Sequence, residues 1–456
     1  EDLVIEWCTH SSGDSYVDNG DGTHHIKCSG CGFEWLEKNG ASESYSKIDH
    51  ACIYTDLGDN GHKGTCVECK AVIEEEHSGS SSTDITIPSG NQQHIIGGCD
   101  KCGHGGTAED HTWDTYGSCT VCNFTPIAKD NDGNLYDSTD AIKEAIVNGV
   151  TEFTLESHVL EGNTPIVKKC LDFDTDADIT LHMNGVKLEG IAGSPALTVS
   201  GGTLTVQGEA NIVSPDVPGG TTEFSAAPAV KVTSGSLIFE DTVTATGSKS
   251  SSSSVAPAIE VTGGTVTFEK DVTATAQKID TAQSSGYTLA PAINVTGGEV
   301  TFAQKLTATG GIFKDGTNLS KQEPAVYATS GTLDFKGDLD LNGGLTLTKS
   351  AKLANLLTQG TFSVSAGTGS SPLSVKDSSV YKKVSDLLAE GYAYALKNDN
   401  SKFTNFSGAY TCSDDVTIVE HTHEWKQDET YTYLHSCACG KSENHEYDSS
   451  TGKCKI

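Results

Sequence analysis

Arginine is missing from the 456 residues, so all 30 basic side chains are lysine, set against 62 Asp and Glu. Without a guanidinium there is no planar fork to grip phosphate or carboxylate at two points. A Lys-preferring coding style accounts for the same absence. The formal net charge of -32 argues against nucleic acid and anionic membranes as partners. No apolar run approaches the length of a membrane span, and no signal peptide is recognisable. Methionine occurs once, at Met183. Apolar residues are also scarce over the first 125 positions, which are rich in Gly, Asp and His instead. Segments that short of apolar area cannot build a core of their own.

What is present is a repeat. Pro195 opens Pro-Ala-Leu-Thr-Val-Ser-Gly-Gly-Thr-Leu-Thr-Val, and the pattern returns at Pro228, Pro257, Pro291 and Pro324. Two residues after each Pro stand Leu197, Val230, Ile259, Ile293 and Val326. Seven after it stand Gly202, Gly235, Gly264, Gly298 and Gly331. Eleven after it come Val206, Phe239, Phe268, Phe302 and Phe335. Period-two alternation marks short strands with one buried face. The recurrent Gly suits a turn of positive φ. A unit that cannot bury its own inner face must stack on its neighbours, like on like. The expected fold is mainly β, a parallel β-helix (solenoid), with the Phe series forming a ladder about 4.8 Å per step. An antiparallel sandwich explains the alternation but not the same-offset recurrence. Length varies after the third segment of each unit, in 247–254, 277–288 and 311–322, so polar insertions should emerge along one edge.

Cysteine marks separate modules at the two ends. Of fifteen, ten precede residue 123, three follow residue 436, and only Cys170 and Cys412 lie between. Four His-Cys-Cys-His sets follow from spacing: His24, Cys28, Cys31 and His50; His62, Cys66, Cys69 and His77; His94, Cys99, Cys102 and His111; and His435, Cys437, Cys439 and His445. Two thiolates in a tight knuckle plus two imidazoles make the tetrahedral shell of structural Zn²⁺. About three to four zinc ions per chain are expected, in closed sites that serve folding rather than catalysis. Disulfides, natural in a secreted chain, do not explain His at matching offsets. Cys99-x2-Cys102-x16-Cys119-x2-Cys122 also fits a four-cysteine ribbon, which leaves Cys119 and Cys122 as second-choice ligands. Cys8 and Cys52 sit ahead of their knuckles without an assigned role.

The expected divisions are zinc modules at 1–51, 52–80 and 90–125, an N-terminal solenoid cap at 126–190, the β-helix at 191–420, and a C-terminal zinc module at 421–456 opened by His421-Thr-His-Glu-Trp425. Within the cap, residues 138–149 read as a helix with a hydroxyl or Asp N-cap and an Asn-Gly stop. A second short helix is expected at 379–388. Asp130-Asn-Asp-Gly-Asn begins like a calcium loop, but its Gly falls early and no late Glu follows, so it reads as a plain turn. Asp172, Asp174, Asp176 and Asp178 line the outer face of a strand, the other place where Ca²⁺ is conceivable. The opening at Glu1 without Met, and the close at Cys454-Lys-Ile, where a Cys-x2-Cys partner falls due, read as a processed form or an excerpt.

Three phrases carry a resemblance: Tyr16-Val-Asp-Asn-Gly-Asp-Gly-Thr-His24 followed by Cys28-x2-Cys31, Leu-Leu-Ala-Glu-Gly-Tyr-Ala at 387–393, and Thr-Ile-Val-Glu-His-Thr-His-Glu-Trp at 417–425. In these the chain resembles large surface proteins of gut and oral Firmicutes, which carry pectate-lyase-like β-helices beside Cys/His repeats. The resemblance implies an extracellular or cell-wall location and specifies no activity. Two functions compete. One is a non-catalytic structural or adhesive protein, a rod-like spacer whose terminal modules bind a host or bacterial surface glycan or protein, or join end to end into a fibre. The other is a polysaccharide lyase or hydrolase on the same scaffold. Such enzymes need carboxylates at defined separation, or, as β-helix lyases resemble, an acidic calcium cluster with a basic residue. No repeat unit carries a departing Asp/Asp/His/Lys set, which favours the non-catalytic reading.

Overall fold

The computed structural model describes residues 14–20, 23–28, 36–39, 42–45, 48–57, 61–77, 85–86, 93–99, 101–102, 104–114, 117–218, 225–250, 254–280, 288–315, 318–355, 362–365, 373–375, 391–396, 399–403, 416–427, 434–439 and 442–444. These residues are mainly β, with one helix among them. The chain divides into two compact units: Glu1–Thr125 with Asp132–Tyr136, and Pro126–Asn131 with Asp137–Ile456. The helix expected at 379–388 lies outside the described residues.

In the first unit the small modules are antiparallel three-stranded sheets. Thr23–Cys28 lies between Asp14–Asp18 and Ile48–Asp49, His62–Cys66 between Cys52–Asp56 and Val72–Glu75, and Gln93–Ile96 between Ile85–Thr86 and Thr107–Asp110. In the first module Asp18, Asn19 and Gly20 begin the turn that leaves the first strand. The Gly20 N–H donates to Asp18 Oδ1 (2.8 Å) and the Asn19 N–H to the Thr23 carbonyl (2.9 Å). Both Gly20 (φ +74°) and Gly61 (φ +98°) sit in the left-handed region that only glycine enters freely. Gly64 serves a different need. A Cβ there would stand 2.6 Å from the Tyr54 ring, which lies across the strand and packs edge-on against His62 at 5.0 Å.

In the second unit the repeat appears as three strands per unit, each hydrogen-bonded in parallel to its counterpart in the next unit. The first and second strands of successive units run through a 16-stranded sheet and the third through a 12-stranded one. Register follows the repeat offsets: Leu197 pairs with Val230, then Ile259, Ile293 and Val326. Val206 likewise pairs with Phe239, Phe268, Phe302 and Phe335. The four Phe rings stack at 5.3, 5.0 and 5.4 Å, within 10° of parallel, and none is more than 1% exposed. Burying each contributes about 1.5–3 kcal/mol. The recurrent turn glycines all have positive φ, from +47° at Gly202 to +84° at Gly331. Stacking adds a second constraint, since a Cβ on Gly264 would lie 2.5 Å from the Gly235 carbonyl oxygen.

The ladder runs further in both directions than the Pro-marked units. Leu171–Phe173, Asp178–His182 and Lys187–Glu189 pair in parallel with the three strands that follow Pro195, so residues placed in the expected cap continue the repeat. Beyond it, Leu345–Asn355 and Phe362–Ser365 continue both sheets with two register shifts. Pairing then turns antiparallel, with Val416–Glu420 against Tyr392–Leu396. The helix Thr139–Val147 is capped by the Ser138 hydroxyl, which accepts from the Ala141 N–H, and it buries Ile142, Ala145 and Ile146. The Thr139 hydroxyl donates to the Cys170 carbonyl (2.6 Å), and Lys143 reaches Asp172 (3.0 Å) and Asp174 (3.2 Å). Half of the Asp alternation is thereby tied to the helix.

The insertions at the edge are more ordered than their composition suggests. Lys278–Asp280, Ile312–Asp315 and Asn318–Gln322 form a sheet of their own, the first two strands parallel and the last pair antiparallel. Ile279 and Phe313 are its buried apolar residues. Their spacing is too short and interrupted to show in sequence beside the Ser- and Thr-rich flanks.

Candidate metal centres

The Cys and His ligands gather in four clusters, and their membership differs from the sets read by spacing. The clusters are His24, His50, Cys66 and Cys69; His62, His77, Cys99 and Cys102; His94, His111, Cys119 and Cys122; and His421, His423, Cys437 and Cys439. They are numbered sites 1 to 4 in that order. Sites 1 and 2 therefore join the His pair of one module to the Cys pair of the next, while site 3 closes within the third module.

Strand geometry explains the difference. His62–Cys66 is one extended strand whose His62, Gly64 and Cys66 all point inward. At about 3.3 Å per residue the His and Cys are roughly 13 Å apart, too far to share one ion. Thr23–Cys28 is likewise a strand, so His24 and Cys28 are separated in the same way. The expected sets of His62 with Cys66 and Cys69, and of His94 with Cys99 and Cys102, are corrected accordingly. So is the four-cysteine ribbon, because Cys99 and Cys102 close site 2 while Cys119 and Cys122 close site 3. The side chain of Cys28, and the whole of Cys31 and His445, lie outside the described residues. His435 is buried but stands on the strand Leu434–Ser436 and is not a member of site 4. Its place is taken by His421 and His423, which spacing alone did not select. A His pair ahead of each Cys pair was the available signal for them.

The distances suit tetrahedral coordination. With metal–sulfur bonds of about 2.3 Å and metal–nitrogen bonds of about 2.05 Å, a sulfur and a nitrogen on one ion stand about 3.6 Å apart. In site 1, Cys66 Sγ lies 3.6 Å from His24 Nδ1, and Cys69 Sγ 3.4 Å from His50 Nε2. In site 2, Cys99 Sγ is 3.5 Å from His62 Nδ1, and Cys102 Sγ 3.3 Å from His77 Nδ1. In site 3, His94 Nδ1 is 3.5 Å from His111 Nδ1 and 3.8 Å from Cys119 Sγ, while Cys122 Sγ is 3.4 Å from His111 Nδ1. Site 4 is somewhat tighter, with His421 Nε2 3.0 Å from Cys437 Sγ and Cys439 Sγ 3.3 Å from His423 Nδ1. The described cysteines are all free thiols, so these residues fit a metal ion such as zinc.

The knuckles are set by the backbone. The Cys66 N–H donates to the Ala71 carbonyl, Cys99 to His104 and Cys119 to Phe124, the same five-residue turn each time. Lys70 and Asn123, each just after its second cysteine, have φ near +60°. Asn tolerates that conformation better than Lys does, so the first knuckle holds a mild strain.

Burial pushes the Cys102 and Cys122 thiols up to about 11. Burial acts upward on Cys119 as well, but the Cys122 N–H, the His111 ring and the N–H groups of Val121 and Thr112 draw it down to about 6. In site 4, His421 and His423 line a cavity of about 430 Å³ with Tyr392, Glu420 and Trp425, while Cys437 and Cys439 pack against Ala393, Phe403 and Trp425.

Among the described residues no helix is long and apolar enough to cross a membrane. Comparison with known protein families, curated proteins and solved structures returned no match to this chain.

Proposed function

We propose that the chain is a non-catalytic structural or adhesive protein of the cell surface or extracellular space. Its second unit is a parallel β-helix acting as a spacer. Its Cys/His clusters hold zinc, each ion stapling two segments that lack enough apolar area to hold together alone. The observation that carries this reading is regularity. From Leu171 to Phe335 like offsets pair with like, and the outward positions between the inner apolar ones are filled largely by Thr, Ser, Lys and Glu. Catalysis calls for acid and base groups drawn together at one place, and no step in the ladder departs from the pattern to provide it. Four protein ligands in each cluster fill a tetrahedral shell, so bound zinc would support folding, with no position left for substrate. The high negative charge keeps copies apart in solution. Contact with a surface glycan, a protein or a second copy is therefore directed, and the metal-closed modules are the rigid surfaces suited to make it.

The test is incubation of zinc-loaded protein with pectins, alginates, mucin glycans and glycosaminoglycans, calcium supplied. Retention on one of these surfaces or self-association, without new reducing ends or unsaturated products, is the expected result. Reproducible cleavage that disappears on replacing an outward Asp or Lys of the second unit overturns it.

A further inference from the structure

Sites 2 and 3 have the same four ligand types in the same sequence order, yet the groups behind their histidines differ. A histidine that gives Nδ1 to a metal must carry its proton on Nε2, and an acceptor there fixes that tautomer and makes the ring a better ligand. In site 2 both rings have a carboxylate within reach, and at His62 it is aligned as a hydrogen bond. His62 Nε2 lies 3.3 Å from Glu75 Oε2, and Glu75 is held in turn by Lys101 from the same site's knuckle. His77 Nε2 lies 3.5 Å from Asp56 Oδ1, whose other oxygen is 2.9 Å from His104 Nδ1. The His104 ring stacks on His77 at 4.2 Å, 5° from parallel.

Site 3 is built otherwise. His111 is packed against Trp113 and Phe124, 5.1 and 5.3 Å away. Phe124 stands at the knuckle position that His104 holds in site 2. The Nε2 atoms of His94 and His111 are both buried without a hydrogen-bond partner among the described residues. Aromatic cover slows the approach of water and chelator, but it accepts no N–H bond. The ligand tautomer is therefore supported by carboxylates in site 2, through a hydrogen bond at His62 and a nearby charge at His77, and unsupported in site 3. Site 1 has carboxylates close by, with Glu68 Oε2 2.6 Å from His24 Nε2 although not aligned as a hydrogen bond.

We propose that Glu75 and Asp56 are positioning residues which raise the metal affinity of site 2 above that of site 3, so that Cys119 and Cys122 are released before Cys99 and Cys102. This rests on the clusters holding zinc. Removing an acceptor behind a metal-bound histidine typically lowers affinity about 10- to 100-fold, and the gap between the two sites should be of that size.

The experiment uses the full chain loaded with zinc and brought to equilibrium with graded chelator. Brief alkylation and peptide mass mapping then report each cysteine, normalised to its labelling in the metal-free, unfolded chain. Cys119 and Cys122 should become reactive at about 10- to 100-fold lower chelator activity than Cys99 and Cys102. Glu75→Ala should bring Cys99 and Cys102 towards the site 3 value, with Cys66 and Cys69 unmoved. Glu75→Gln, which keeps an acceptor oxygen, should restore most of the difference. Sites 2 and 3 opening together in the unaltered chain, or Glu75→Ala leaving the order unchanged, overturns the proposal while the metal sites stand. Cysteines that zinc does not protect at all overturn the metal reading and this inference together.

Discussion

Phe268 and Phe302 illustrate how much one offset in a repeat decides. Each is sandwiched between rings of the neighbouring units at 5.0–5.4 Å and is at most 1% exposed. Phe268→Ala should cost about 3–5 kcal/mol, and Phe302→Ala about the same, as read from denaturant midpoints of the second unit. A loss below about 1 kcal/mol at both positions contradicts the inward register. The stacked rings and the turn glycines were legible in the sequence because one physical demand, like stacking on like, repeats at fixed spacing. Gly264 and its equivalents answer two demands at once, a positive φ and a carbonyl oxygen from the preceding unit where a Cβ would lie. Only the first of these belongs to the chain locally; the second exists once units stack.

At the scale of elements, the strand His62–Cys66 carries residues of two different clusters, Cys66 of site 1 and His62 of site 2. Consecutive modules are thus interlocked, and the ligand sets make opposite predictions for a single change. In His62→Ala, Cys99 and Cys102 should become open to alkylation while Cys66 and Cys69 stay protected. Labelling of Cys66 and Cys69 instead would restore the grouping read from spacing alone. A sequence shows which residues are ligands because thiols and imidazoles recur at set intervals. It does not show that a His-x3-Cys run is extended. That conformation comes from pairing with the flanking strands, Cys52–Asp56 and Val72–Glu75, and it carries the two ends of the run to different ions. His421 and His423 escaped for the same reason, since their partnership with Cys437 and Cys439 is a matter of folding back, not of interval.

For the whole molecule, acidity and chelation should act on the Cys/His clusters far more than on the parallel ladder. Burial holds Cys102 and Cys122 up to about 11 in the metal-free fold, so near neutrality these thiols are protonated and a metal must displace the proton. An ion displaces the proton of each thiol that still carries one, so affinity falls as pH falls, by on the order of 10-fold per unit for each such thiol. For the metal-free fold the sign is reversed. A raised thiol value contributes stability below the unfolded value, and that contribution is lost as pH rises through about 11. Zinc release followed by a chromogenic chelator from pH 8 to pH 5 should therefore steepen towards acid. Over the same range the strand signal of the parallel ladder should persist, because its core is Val, Leu, Ile and Phe and no cluster includes a described residue from Leu171 to Phe335. Release independent of pH, or loss of both signals together, contradicts this division. The sequence by itself determined the β character, the repeat with its register, the helix Thr139–Val147 and most of the Cys and His residues that make up the clusters. Each of these follows from side-chain type at a fixed interval along one chain. Only the tertiary structure decided which Cys pair closes on which His pair, which carboxylates stand behind the rings, and that Ile279 and Phe313 turn polar insertions into a sheet. Those depend on atoms distant in sequence meeting within about 4 Å, a condition that spacing along the chain does not encode.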